Sequence, residues 1–335
     1  MNDLPFAHGG PPLAGTLRST PEDFLVEEIA VGEADGEGEH VLLEVEKRGA
    51  NTMWVARELA RFAGVKPLAV GFAGLKDRHA VTRQRFSVQL AGQAEPDWST
   101  FPHPEVRITS SARHRRKLKR GALAGNRFTL VLRNVRGERD HAQSVLEAMA
   151  AQGVPNYFGE QRFGHGAANV ERARSMFAGR RVDRATRSIL LSAARSQLFN
   201  EVLAERVRQA TWNDALDGEI WCLDGSRSWF GPEPFTPVLR KRLADGDIHP
   251  SGPLWGRGDL PTQGAARDLE DAVVQRDVEL AQGLERAGLE QDRRPLRLRP
   301  QALTWDWLAD DVLQLSFSLP PGTYATVVVR ELALA

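Results

Sequence analysis

The chain has 335 residues, 41% of them hydrophobic, with 44 Lys and Arg set against 44 Asp and Glu. A chain of this length buries a sizeable core and tends to divide it between two domains. The formal net charge of zero excludes a uniformly basic binding protein but leaves room for a local basic surface. The single cysteine, Cys222, excludes an internal disulfide framework and a cysteine-rich zinc site.

The amino-terminal MNDLPFAHGGPPLAG has no basic n-region and no long apolar run, so no secretory signal is expected. No window approaches 18 consecutive apolar residues, which makes a soluble cytoplasmic protein with no membrane partner the default. Residues 13–31 alternate as two strands around a PED turn, and HVLLEVE at 40–46 reads as a third. Asn51 or Thr52 can cap a helix to about Phe62, with Val55, Leu59 and Phe62 on one face. KPLAVGFAG then reads as a strand, with Asp77 in the turn that follows it. Further strands are expected at 82–90, 105–111 and 126–135, and a helix from Asp140 to about Gln152. This first part is therefore α+β.

The character changes at Gly153, where NYFGEQRFGHGAAN is rich in glycine and aromatics. Helices are expected at about 170–178, 183–210 and 265–282. The Gly/Pro/Trp-rich stretch 218–264 reads as irregular but compact, with Cys222 in a buried strand. Alternation returns towards the carboxyl end, followed by a helix from about Tyr324. A sheet domain built from both ends of the chain, with a largely helical module inserted, would account for this order.

The segment 107–127, RITSSARHRRKLKRGALAGNR, has eight Arg or Lys and no acid. It reads either as a solvated loop or as a phosphate-backbone track formed by Arg113, Arg115, Arg116, Lys117, Lys119 and Arg120. Phe24, Phe72, Phe128, Phe158 and Phe163 lie near basic positions, as core residues or as stacking surfaces for splayed bases. Asn126 reads as a base-reading amide or a turn cap. Asp77, between Lys76 and Arg78, reads as a surface ion pair or as a lone carboxylate nucleophile or base. A metal site has no third ligand nearby, and neither a Walker A loop nor GxGxxG is present. His165 in GEQRFGHG reads as part of a structural loop.

Seven ordered blocks then carry a resemblance. They are PEDFLVEE at 21–28, GEGEHVLLEVEKRGANT at 36–52, GFAGLKDRHAVTRQ at 71–84, ARHRRKLKRGALAGNRFTLVLR at 112–133, GVPNYFGEQRFG at 153–164, HPSGPLWG at 249–256 and LPPGTYATVVVREL at 319–332. Together they resemble the TruD family of tRNA pseudouridine synthases, which modify uridine 13. The resemblance implies an α+β fold: a pseudouridine-synthase-type mixed or antiparallel sheet in a catalytic domain, with a family-specific, largely helical α/β insertion. The implied boundaries are 1–151 and 299–335 for the catalytic domain and 152–298 for the insertion.

The resemblance also implies that Asp77 is the catalytic carboxylate. It implies that Phe24, Asn126 and Phe128 contact substrate, and that Tyr324 adds a ring at the site. Tyr324 stands where some relatives have phenylalanine, so its hydroxyl is an added candidate for proton transfer. Arg18 stands where some relatives have lysine and would pair with Asp77 through a fixed fork. The implied partner is a glutamate-type tRNA, bound by a monomer with no obligatory protein partner. Isomerisation neither adds nor removes atoms, so no cofactor and no metal are expected. A pseudouridine synthase acting at another RNA site, or a non-catalytic RNA-binding protein, is the alternative.

Overall fold

The computed structural model describes residues 4–335. In chain order its elements are β1 (Leu13–Leu17), β2 (Phe24–Ala30), β3 (His40–Arg48), α1 (Thr52–Phe62), β4 (Val70–Phe72), β5 (Val81–Gln89), β6 (Val106–His114) and β7 (Leu123–Gly137). Then come α2 (Arg139–Gln152), β8 (Val154–Pro155), α3 (Ala168–Phe177), α4 (Arg184–Arg208), β9 (Trp221–Leu223), β10 (Trp229–Phe230) and α5 (Pro237–Asp245). The chain continues through β11 (Ile248–Leu254), α6 (Gly264–Val274), α7 (Val278–Arg286), β12 (Asp292–Pro295) and β13 (Arg297–Leu298). It ends with β14 (Gln301–Ala309), β15 (Val312–Leu319), α8 (Ala325–Leu332) and a two-residue strand.

These elements form two compact units. One comprises Leu13–Gly137, Pro300–Gly322 and Leu334–Ala335. The other comprises the described residues through Pro12, Glu138–Arg299 and Thr323–Ala333. The stretch 152–298 lies wholly within the second unit, which also takes in α2 and α8.

The first unit is a mixed sheet in the order β14-β15-β7-β2-β5-β3-β6, with β1 also on β7 and β4 also on β5. Only the β2–β5 pair in this path is parallel. In β15 the period of two is plain: Leu313, Leu315, Phe317 and Leu319 are buried and the residues between them are half-buried. Helix α1 begins where Asn51 Oδ1 accepts from the Met53 and Trp54 amides at 2.8 and 3.3 Å. Its Val55 and Leu59 are fully buried among Val41, Leu43, Phe86 and Val88 of the sheet, while Phe62 is partly buried at the rim. Helix and sheet thus cover each other on this side, and α1 ends up beside the loop that follows β4.

In the second unit the core gathers around α4, whose Leu190, Ala194, Leu198, Phe199 and Leu203 are buried with residues of α3 and α7. The stretch 218–264, expected to be irregular, instead contributes β9, β10, α5 and β11, and the sheet runs β10-β9-β11-β12. Strand β11, IHPSGPL, holds two prolines and a glycine and is buried along nearly its whole length. Burial on both faces erases alternation, and proline normally argues against a strand, so pattern reading misses it. Cys222 is buried in β9, as expected. The single helix expected over 265–282 is two, because Asp277 interrupts it. Its carboxylate accepts from the Leu280 amide at 3.3 Å and caps α7, and Arg174 clamps the same carboxylate with two bonds of 2.6 Å.

Candidate active site

Strand β4 is only three residues long, and the chain leaves the sheet at Phe72. The loop carrying Asp77 is then held from several sides. The Lys76 amide donates to Thr52 Oγ1 at 3.0 Å, the Thr52 hydroxyl donates to Gln84 Oε1 at 3.1 Å, and Gln84 Nε2 donates to Gly74 O at 3.2 Å. Lys47 is wholly buried, and its ammonium donates to Ala50 O at 2.7 Å and to Asp77 O at 2.9 Å. Burial pushes Lys47 down to about 8, against the pull of the Asp77 carboxylate. The Lys76 ammonium forms a buried pair with Glu28 at 2.9 Å. These bonds fix the backbone on both sides of Asp77.

The Asp77 side chain is bound in its turn. Its Oδ1 accepts from the His79 amide at 3.1 Å, and its Oδ2 lies 2.8 Å from Arg18 Nη2. Arg18 follows β1 with a φ of +63°, in the left-handed region that a non-glycine residue adopts at a cost. Its guanidinium lies 4.0 Å from the centre of the Phe24 ring. Phe24 meets Phe128 edge-on at 6.3 Å, and Phe128 meets Phe317 at 5.6 Å. Register explains the grouping. Phe128 sits opposite Val26 on β2 and Phe317 on β15, and Asn126 sits opposite Glu28 and Leu319. All of these side chains project from one face of the sheet. Asn126 Oδ1 and Arg18 Nε are buried there with no hydrogen-bond partner among the described residues.

Asp77, Arg18, Phe24, Asn126 and Phe128, singled out in sequence, therefore share one sheet face. Lys47, Glu28, Thr52, Gln84 and Phe317 were not singled out. For Lys47 the signal was present: Val41, Leu43 and Val45 point inward, and a lysine at the next inward position must bury its charge. Phe317 is likewise an inward position of an alternating run.

The basic segment is less free than its composition suggests. Arg113 pairs with Glu95 at 3.1 Å, Arg115 with Glu37, and Lys117 donates to Leu68 O. Arg120 stacks over Phe72 at 4.0 Å. Arg116 and Lys119 are exposed and make no ion pair among the described residues. The turn is docked on the start of the Asp77 loop, since the Gly121 amide donates to Ala73 O at 2.7 Å and the Leu118 amide to Ser87 Oγ at 2.9 Å.

Tyr324 belongs to the second unit, at the N-cap of α8. Its ring meets Phe158 at 6.3 Å and lies against Gly159, and its hydroxyl accepts from Arg162 Nε and Nη2 at 3.2 and 3.0 Å. The Arg294 guanidinium lies 4.1 Å from the Phe158 ring, and burial pushes it down to about 10. His165 is exposed on a short turn after this cluster. Among the described residues no group of three His, Cys, Asp or Glu is placed to hold a metal ion, and no helix is long and apolar enough to cross a membrane.

The family model described as tRNA pseudouridine synthase D (TruD) matches residues 2–171 and 170–332. The chain belongs to the TruD family. A TruD relative from Xanthomonas euvesicatoria pv. vesicatoria is 53% identical over 346 aligned positions, covering 98% of this chain and 94% of its own. One from Methylococcus capsulatus is 50% identical, covering 99% and 94%. A crystal structure from Methanosarcina mazei bearing the TruD name superposes with a TM-score of 0.76 at 22% identity, covering 98% and 95%, which bears on the fold.

Proposed function

We propose that the protein isomerises uridine to pseudouridine in tRNA, at position 13, with Asp77 as the essential carboxylate. The observation that carries the reading is the Arg18–Asp77 pair at 2.8 Å, bordering the Phe24–Phe128 aromatic face in a chain of the TruD family.

The reaction breaks the N1–C1′ bond and joins C5 to C1′ in the same nucleotide, C5 giving up its proton and N1 gaining one, so that no atom is added or lost overall. The base must leave its stack, turn and re-bond without escaping. Asp77 supplies a carboxylate close to C1′, which attacks that carbon or takes the 2′ proton. Arg18 holds that carboxylate in one orientation with a planar fork, and Phe24 stiffens the fork from below. Phe128, backed by Phe317, offers a surface on which the detached uracil stacks. Asn126 Oδ1, buried and without a donor among the described residues, suits a base N–H. Tyr324, carried by the second unit with Arg162 donating to its hydroxyl, is a further candidate ring for the same nucleotide. Glutamate-type tRNA is the substrate, bound along the backbone by the 113–120 segment, in which Arg116, Lys117, Lys119 and Arg120 carry charge that no carboxylate pairs among the described residues. The enzyme acts as a cytoplasmic monomer without a cofactor.

The test incubates the protein, with no added metal or cofactor, with unmodified glutamate-type tRNA transcript. Carbodiimide labelling and primer extension then read the product. Wild type should stop the primer at position 13. Asp77→Asn, and a transcript with uridine 13 replaced, should not. A stop that survives Asp77→Asn removes Asp77 from the chemistry, and a stop elsewhere reassigns the target.

A further inference from the structure

A second basic cluster lies in the unit that does not carry Asp77. The stretch ERARSMFAGRRVDRATR at 171–187 has six arginines against Glu171 and Asp183. Arg174 is satisfied by Asp277, so this unit has carboxylates placed where arginine is to be neutralised. The others are not treated so. Arg180, Arg181 and Arg184 are exposed and make no ion pair among the described residues, and Arg172 makes only a 3.4 Å contact with Asn169 Oδ1.

Three of them converge. Arg172 from α3 and Arg180 and Arg181 from the α3–α4 turn line a cavity of about 280 Å³ with Val182, Asp183 and Thr186. The one acid in that lining is already engaged. Asp183 Oδ1 accepts from the Thr186 amide at 2.9 Å and its Oδ2 from the Thr186 hydroxyl at 2.5 Å, which caps α4. Guanidinium groups gathered round one cavity repel each other, and no carboxylate among the described residues pairs with these three. A phosphate oxygen relieves that repulsion, and arginine's planar fork matches it geometrically.

We infer that this arginine-lined cavity between α3 and α4 is a contact for the phosphate backbone of RNA, distinct from the 113–120 segment. The inference rests on the proposed RNA substrate and extends it to the second unit. An acidic protein surface is the competing occupant, and the test separates the two.

Arg172→Gln/Arg180→Gln/Arg181→Gln is compared with wild type and with Arg257→Gln, which removes one surface arginine paired with Glu290. The side chains removed are exposed, and circular dichroism checks the fold. Binding of an unmodified tRNA transcript is measured between 50 and 200 mM salt, alongside KM for pseudouridine formation. The triple variant should bind roughly 10-fold more weakly at 100 mM salt. Its log–log salt slope should fall by roughly 1–2, since each neutralised phosphate contributes about 0.7–0.9. KM should rise in step, and Arg257→Gln should leave slope and KM unchanged. A triple variant with wild-type slope and KM overturns the inference and leaves the cavity to an acidic protein partner. The two readings fail separately. Lost RNA affinity in the triple variant, with no pseudouridine formed by wild type, would retain the cavity and sink the proposed reaction.

Discussion

Replacing Lys47 with methionine tests the idea that a buried cation is kept to hold the Asp77 loop. Burial moves the Lys47 ammonium from 10.5 to about 8, which corresponds to about 3 kcal/mol against folding at neutral pH. Methionine, of similar length, carries no such penalty. It also donates no hydrogen bond, so Ala50 O and Asp77 O lose their charged partner at about 1.5–3 kcal/mol each. The opposing terms leave Lys47→Met less stable by about 1–2 kcal/mol at pH 7. The pH dependence has a definite sign. Between about pH 8 and 10.5 the unfolded chain holds the Lys47 proton and the native chain does not, so wild-type stability rises with pH. The gap between wild type and variant should widen by about 3 kcal/mol across that window. Urea unfolding at pH 7, 8, 9 and 10 measures it, and other titrating groups cancel in the difference. At pH 7, kcat should fall at least ~10-fold, because a loop released at the Asp77 carbonyl no longer aims the carboxylate. A gap that stays level with pH, together with an unchanged kcat, would refute the reasoning.

Three further outcomes follow from the same geometry. Arg18→Ala should lower kcat by roughly 10²-fold while costing about 1 kcal/mol or less in stability, because both partners of the pair stay in part open to solvent and the change also removes a buried Nε that has no partner among the described residues; steady-state kinetics with thermal melts separate the two effects. Gly71→Ala should destabilise by more than about 3 kcal/mol, since a Cβ there would stand 2.5 Å from Leu118 O and 2.7 Å from Ser87 Oγ; RNA affinity should fall with it as the basic turn lifts from the Asp77 loop. Burial pushes the Cys222 thiol up to about 12, so at pH 8 a thiol reagent should react with the native protein far more slowly than with the urea-unfolded chain.

Where each local choice pointed the same way, the sequence was readable. Of the two expected caps, Asn51 and not Thr52 holds the helix, the strands around PED fell in place, and the alternation of VLQLSFSL gave a half-buried strand. Strand β11 was unreadable because it is buried on both faces and carries prolines, and the break at Asp277 was unreadable because Arg174, remote in sequence, fixes it. The site divides in the same manner. Asp77 and the basic run stood out by charge, while the charge of Arg113 and Arg115 is cancelled by Glu95 and Glu37 from elsewhere in the unit. Lys47 fell just past the strand expected at 40–46; its register position, not its type, marks it. Sequence periodicity reports one element at a time, and these pairings belong to two.

The partnership of β7 with β15 has a consequence for how the protein is made. Phe128 and Phe317 are direct neighbours across the ladder, yet the chain between them is more than half of the 335 residues. Closing so long a loop adds little to the equilibrium cost, because that cost grows only logarithmically with length. Its effect is on timing. During synthesis β1 to β7 emerge first, and the edge of β7 that will receive β15 stays open until the whole stretch 138–299 has followed. An open edge of this kind is where nascent chains misassociate. The aromatic wall beside Asp77 is therefore finished only when β15 has been made, and a chain that stops before β15 carries Asp77, Phe24 and Phe128 without Phe317 behind them.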